Sequence, residues 1–241
     1  MPTIIGHVKA VFFDLGGTLA YYAPSPESII ARVIKRHGFH VEPHHVKDAL
    51  TEAENAFKPV REKIRKQSKG DPLRYVDLPL DYWVEVNLYM LSLLGLPQDI
   101  GIAKEIALEF RKTRNVALYP DVVPTLKALR ARGYRLGIVS NGPPFVEKVI
   151  KHTGLNKLVD FYVVSYKVGF EKPHPSVFWR ALRSAAVNPF EALHVGDDYE
   201  CDVEGARKVG MTPILLDRWG RHSCTDCIRI EKLDELLTML T

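Results

Sequence analysis

Apolar residues are spaced along this chain in two rhythms. Residues 8–14, VKAVFFD, form a short run rich in Val and Phe that ends on a carboxylate, Asp14, followed closely by Gly16 and Gly17. A continuous apolar run of this length, closed by turn residues, predicts a buried strand opening into a tight turn. Similar runs recur late in the chain at Tyr134–Ser140, Phe161–Ser165, Ala192–Val195 and Pro213–Leu216. Between them, Asp121–Arg132, Pro175–Ala186 and Glu200–Val209 carry apolar residues at helical spacing, and Gly133 is a natural stop for the first. Strands alternating with helices in this way predict an α/β fold with a doubly wound parallel sheet.

The interval from Tyr22 to Asn115 keeps only the helical rhythm. Ser25 followed by Pro26 predicts a helix start, with the hydroxyl as cap and the proline in the first turn. Further helices are expected over His44–Lys66, Asp81–Leu94 and Ile102–Arg114, and a last amphipathic one over Glu231–Leu240. About four helices interrupting a strand–helix pattern right after its first strand read as an insertion. The expected division is therefore a core made of residues 1–21 and 116–241, with an α-helical domain at 22–115. No internal repeat or low-complexity tract is present.

Composition narrows the class further. An apolar fraction of 46% and a charged fraction of 26% exclude disordered and collagen-like chains. The net charge of +4 is mild, without the clustered basic signal of a nucleic-acid binder, so no nucleic-acid partner is expected. No apolar stretch approaches the roughly 20 residues that span a bilayer, so no membrane partner is expected either. Cys201, Cys224 and Cys227 cannot all pair, which points to a reducing compartment. The first apolar run breaks at Asp14 and lacks a small-residue cleavage pattern, so a cytoplasmic location is expected. Oligomeric state leaves no signal in the sequence.

Four segments carry candidate chemistry, each at or just after the C-terminal end of an expected strand, where open α/β sheets bind ligands. Asp14-Leu15-Gly16-Gly17 places a carboxylate beside small residues, so that it can approach a phosphoryl group while turn N–H groups bind its oxygens. Ser140-Asn141-Gly142 offers a hydroxyl and an amide to phosphate oxygens, although the same triplet is ordinary turn chemistry. In Glu171-Lys172-Pro173-His174-Pro175, two prolines restrain the backbone around an ammonium. Held beside Asp14, that ammonium would keep the carboxylate ionised and neutralise phosphate charge. Finally, Gly196-Asp197-Asp198 with Asp202 gathers three carboxylates within six residues. Such a cluster is costly unless a cation neutralises it, and Mg²⁺ suits it. Asp198 serves equally well as a helix cap.

Taken in this order, FFDLGGTLA, IVSNG, KPHPSVF and HVGDDYECDVEGARKVGM resemble the four motifs of the haloacid dehalogenase superfamily. The resemblance covers the whole chain, and the helical insertion resembles the cap domain that many members carry. It implies a Rossmann-like core and a hydrolase in which Asp14 attacks phosphorus to form an aspartyl phosphate. It implies Mg²⁺ held by Asp14, the main-chain carbonyl of Gly16 and Asp197, with Asp202 ordering the metal's surroundings. Ser140, Asn141, Lys172 and the amides near Gly16 and Gly17 would hold the phosphoryl group of a small phosphorylated metabolite. The cap would choose the substrate by closing over the site, as lids do.

One position departs from the pattern. Phosphatases of this superfamily normally carry a second Asp two residues after the nucleophile as general acid and base; here that residue is Gly16. Metal binding survives, because only the backbone oxygen is used, but acid–base assistance worth about 10²–10⁴ in rate is missing. A phosphatase with its proton relay elsewhere fits, as do a 2-haloacid dehalogenase, a phosphonatase with a Schiff-base lysine in the cap, and a catalytically weak metal-binding regulatory protein. Dehalogenases of the family need no magnesium, so the retained acidic cluster favours the phosphatase. Other features have plainer readings. His37, His40, His44 and His45 suit a solvated loop better than a metal site, Arg61–Lys69 an exposed helix face, and Tyr82, Trp83 and Tyr89 core packing. Cys224 and Cys227 have zinc-knuckle spacing without a second pair.

Overall fold

The computed structural model describes residues 7–67, 73–75, 78–222 and 226–240. In chain order its elements are β1 (Ala10–Phe13), β2 (Ala20–Tyr22), α1 (Pro26–Arg36), α2 (Pro43–Gln67), α3 (Leu80–Leu93), α4 (Ile100–Glu109) and β3 (Val116–Leu118). There follow α5 (Val122–Ala131), β4 (Arg135–Ser140), α6 (Phe145–His152), β5 (Phe161–Val164), α7 (Ser165–Val168), α8 (Pro175–Ala185) and β6 (Ala192–Gly196). The chain closes with α9 (Gly205–Arg207), β7 (Thr212–Leu216), β8 (Ile228–Ile230) and α10 (Leu236–Met239). Residues 1–21 with 118–241 form one compact unit and residues 22–117 another.

In the first unit six strands make one sheet in the order β5-β4-β1-β6-β7-β8, with every pairing parallel. The chain begins in the middle at β1, winds outward through β4 and β5, then restarts at β6 and winds the other way. β1 and β6 therefore flank the point where the winding reverses, which is where open sheets leave a crevice for ligands. All four residues of β1 are fully buried, as expected of a central parallel strand covered on both faces. On one face Val177, Phe178, Ala181 and Leu182 of α8 pack with Ala10, Phe12, Val139 and Val163. Phe12 meets Phe161 edge-on at 5.4 Å.

Several elements differ from the sequence expectation. The helix expected over 200–209 is a π-helical turn at Tyr199–Glu204 followed by the short α9. The last helix is a 3₁₀ turn at Leu233–Glu235 leading into α10. Ser25 precedes α1 as expected, but its hydroxyl donates to the Ser28 hydroxyl at 3.0 Å instead of capping the backbone. β2 and β3, which form a separate two-stranded sheet, were not legible in the pattern, and nor were α6 and β8.

The second unit is built on α1–α4. Ile30, Val33 and Ile34 of α1 repeat at helical spacing and share a core with Val46 and Ala53 of α2, Val86 and Met90 of α3, and Ile102 and Ile106 of α4. Tyr82 lies in the same core and meets Trp83 edge-on, while Tyr89 is partly exposed. At the end of α4 the buried Glu109 carboxylate accepts hydrogen bonds from Arg36 and Lys112 at 2.8 Å and from Arg114 at 3.1 Å. Burial works against the charge, but Lys112 and Arg36 outweigh it and hold the carboxyl at about 2. A carboxyl depressed in this way stabilises the fold above its ordinary 4.5 and loses that contribution as pH falls toward 2. Glu109→Gln is expected to cost about 1–3 kcal/mol at pH 7. The difference from the parent should shrink at pH 3, as read by urea unfolding of the full chain; an equal difference at both pH values would refute the ion-pair origin.

Candidate functional site

The C-terminal ends of β4, β1 and β6 lie side by side, and the candidate residues issue from them. Ile138, Phe13 and Val195 are in register across the three strands. Asp14 therefore emerges level with Gly196, while its own N–H donates to the Val195 carbonyl at 2.9 Å. Asp14, Ser140, Lys172 and Asp202 are all buried.

Lys172 joins the first and last segments. Its Nζ donates to Asp14 Oδ1 at 2.6 Å and to Asp202 Oδ1 at 2.6 Å. Its backbone is fixed by Asn141, whose Oδ1 accepts from the Lys172 N–H at 2.7 Å and whose Nδ2 donates to the Lys172 carbonyl at 3.0 Å. Asn141, read from sequence as a phosphate ligand, thus spends its oxygen and one N–H on placing Lys172. Ser140 ends β4, with its hydroxyl turned to the Asn141 carbonyl at 3.3 Å.

Asp197 is held from the other side. Thr18 Oγ1 donates to its Oδ1 at 3.2 Å. The Thr18 carbonyl in turn accepts from Arg218 at 3.0 Å, and Arg218 makes a two-point contact with Asp121 at 2.8 and 3.0 Å. Arg218 also lies over the Tyr119 ring, 4.0 Å from its centroid. Asp198 acts as a cap, accepting from the Cys201 N–H at 2.7 Å. Two glycines make the close approach of the carboxylates possible. At Gly17, with φ +78°, a Cβ would overlap the Asp197 carboxylate, and at Gly196 it would overlap Asp202. Gly16 is different, because a Cβ there would meet nothing within 4 Å.

Oxygens of Asp14, Asp197 and Asp202 lie within 4.8 Å of one another, the one such group of potential metal ligands among the described residues. Burial pushes Asp14 up to about 7 against the pull of Lys172, with Asp202 and Asp197 adding repulsion. Asp197 is raised too, by burial and then by Asp202. Asp202 goes the other way: burial opposes its charge, but Lys172 and His194 hold it well below the usual carboxylate range. Asp14 and Asp202 in turn keep Lys172 firmly protonated despite its burial. Three carboxylates face one ammonium, and their hard oxygens are the donor set that suits a divalent cation such as Mg²⁺ or Ca²⁺. Gly16, expected to offer its carbonyl, lies two residues along the same turn.

Thr18 and His194 lie inside the candidate segments but were given no role there, and Arg218 and Asp121 were missed as site residues. His194 could have been found, since a histidine inside the apolar strand Ala-Leu-His-Val-Gly is a buried polar group that calls for a partner. Elsewhere, His37 bonds Glu105 at 2.6 Å, His40 bonds Glu42 at 3.0 Å, and the His44 and His45 rings lie tilted against each other. Cys224 lies outside the described residues, as does part of the basic run 61–69. A cavity of about 480 Å³ beside β5 and α8, walled by Tyr162, Trp179, Arg180 and Arg183, contains none of the acidic residues.

Asp14 gives a stability prediction. A carboxyl raised from 3.8 to about 7 on folding favours the fold when protonated, so its cost grows as pH climbs through that window. In metal-free protein, Asp14→Asn should raise Tm at pH 8 and show little gain at pH 4. A lower Tm for the variant at pH 8 would show that the ionised carboxylate is a net stabiliser.

A family model described as haloacid dehalogenase-like hydrolase matches residues 8–210. A glyceraldehyde 3-phosphate phosphatase from Methanopyrus kandleri is 29% identical over 215 residues, covering 88% of this chain and 84% of that protein. Among solved structures, a HAD phosphatase from Thermococcus onnurineus is 29% identical, covers 96% of this chain and 97% of its own, and superposes with a TM-score of 0.62. A 2-haloacid dehalogenase from Pseudomonas syringae is 26% identical, with a TM-score of 0.60 and coverage of 96% and 97%.

Proposed function

This chain belongs to the haloacid dehalogenase-like hydrolases, and within that family we propose that it is a Mg²⁺-dependent phosphatase acting on a small phosphorylated metabolite. The observation that carries the reading is the convergence of Asp14, Asp197 and Asp202 around a single Lys172. Dehalogenation needs a nucleophile and a halide site but no such surplus of negative charge. Gly16 favours the dehalogenase, as does the likeness to the Pseudomonas syringae dehalogenase. The phosphatase relative and the phosphatase structure support the first reading.

The residues divide the work as follows. Asp14, Asp197 and the Gly16 carbonyl would hold Mg²⁺, which supplies charge neutralisation for the phosphoryl oxygens and keeps Asp14 ionised at neutral pH. Lys172 occupies Asp14 Oδ1, and Oδ2 has no hydrogen bond among the described residues. A carboxylate oxygen of Asp14 attacks phosphorus, the ester P–O bond breaks, and the alcohol leaves with the electron pair and a proton taken from water. Water then attacks phosphorus of the aspartyl phosphate, releasing phosphate and restoring the Asp14 carboxylate. Lys172, the Ser140 hydroxyl, the remaining side-chain N–H of Asn141 and the Gly17 region hold the phosphoryl group, which is mainly positioning and charge stabilisation.

With no acid at residue 16, the leaving oxygen must accept its charge largely unaided. Turnover is therefore expected to depend steeply on leaving-group acidity, with 4-nitrophenyl phosphate far ahead of glycerol phosphate. Phosphate release should require Mg²⁺, stop on chelation and vanish in Asp14→Asn. Halide release from 2-chloropropionate without metal, or turnover by Asp14→Asn equal to the parent, would overturn the reading.

The open space at Gly16 yields a further expectation. Gly16→Asp should raise turnover of the alkyl ester, by up to about 10²-fold, and do much less for the aryl ester, since only the poorer leaving group needs the proton. An equal change for both esters would show that another group already supplies it.

A further inference from the structure

His194 has no part in the chemistry just outlined, yet it is tied to its centre. It is fully buried in the middle of β6, with its ring edge-on to Phe178 at 5.1 Å. Its Nε2 lies 2.8 Å from Asp202 Oδ1. An ionised carboxylate can only accept, so Nε2 carries the proton and donates. Nδ1 is then a bare acceptor, buried and without a partner. Such an atom costs about 1–3 kcal/mol, which a leucine in this apolar strand would avoid. Packing gives no reason for a histidine here; its single hydrogen bond does.

That bond completes the restraint on Asp202. Its Oδ1 receives both His194 and Lys172, and its Oδ2 receives the Asp198 N–H at 3.2 Å. Three donors from β6, the Lys172 segment and the turn after β6 thereby fix the carboxylate in rotation. Without His194, Oδ1 would be held by Lys172 alone, and a turn of the carboxylate would draw the ammonium away from Asp14.

We propose that His194 is a positioning residue, whose Nε2–H orients Asp202 so that Lys172 stays on Asp14. The kinetic part of this inference rests on the phosphatase reading; the contact does not. The test combines two readouts on the full chain. In metal-free protein, long-range ¹H–¹⁵N spectra of the histidine rings, assigned by the signals lost in His194→Gln, should show His194 as the Nε2–H tautomer. They should also show its signals displaced in Asp202→Asn. An Nδ1–H tautomer, or signals indifferent to Asp202→Asn, would overturn the proposal.

In Mg²⁺-dependent hydrolysis of 4-nitrophenyl phosphate, His194→Leu and His194→Met should lower kcat by about tenfold, with KM little changed and the folded spectrum retained. His194→Gln, whose amide nitrogen can reach the place of Nε2, should recover most of kcat. A folded apolar variant with parental kcat, or a glutamine variant as slow as the apolar ones, would overturn the proposal while leaving the phosphatase reading intact. If the parent hydrolyses no phosphate ester, that reading fails and the spectra alone decide the His194 contact.

Discussion

One ammonium shared by two buried carboxylates sets the terms for the rest of the site. Lys172 Nζ is 2.6 Å from both Asp14 and Asp202, and all three side chains are withdrawn from water. Removing charges from water costs several kcal/mol per ion, and the attraction repays that only where the geometry is fixed. The surroundings supply the fixing. Asn141 grips the backbone of Lys172 at both ends of one peptide residue, His194 and the Asp198 N–H orient Asp202, and β1 delivers Asp14 from a fully buried strand. Removing any one of these supports would leave a buried charge free to turn, which is more costly than not having built the cluster.

The sheet explains why these particular residues meet. Asp14, Ser140 and Asp197 are far apart in sequence but leave adjacent strands on the same edge, because β4, β1 and β6 are parallel and in register. The winding reverses between β1 and β6, which is where open sheets leave a crevice for ligands. Burial and the neighbouring charges set the electrostatics there. Burial raises Asp14 and Asp197, while at Asp202 the pull of Lys172 together with that of His194 outweighs it. The metal-free site is thus a place where the fold tolerates excess negative charge, and its stability has to come from elsewhere, chiefly the packing of Phe12, Val139 and α8.

Much of this was legible in the sequence, and the parts that were not share a cause. β1, β4, β5, β6 and β7 could be read because strands buried on both faces leave unbroken apolar runs. β2 and β3, of three residues each, form a separate two-stranded sheet and leave too short a pattern. β8 (Ile-Arg-Ile) is an edge strand whose middle residue faces solvent. The π-helical turn at Tyr199–Glu204 has the composition of an ordinary helix, since widening one turn needs no special residue. Asp14 and Asp197 stood out as carboxylates closing apolar runs, and Lys172 and Asp202 through the four segments taken together. Asn141 was read with another role, and His194 and Arg218 were given none, because each gains its meaning from a partner: Lys172, Asp202, and Asp121 97 positions away. A Ser-Asn-Gly triplet looks the same whether its amide faces a phosphate or a backbone.

The contrast between adjacent glycines bears most directly on the chemistry. Gly17 is dictated by the site, since its backbone is left-handed and a side chain would displace Asp197. Gly16 is not dictated, since its Cβ direction is open and its φ lies outside the glycine region. The absence of a carboxylate at residue 16 is therefore not the price of closing the turn. A fourth acid beside Asp14, already raised to about 7 by burial and by its acidic neighbours, would raise that carboxyl further. On the phosphatase reading, leaving the position empty keeps more of Asp14 ionised, at the expense of protonating the leaving group. On that reading the arrangement would suit substrates whose leaving oxygen is stable as an anion, and the charge of Asp14, held by Lys172, would be the quantity the rest of the site protects.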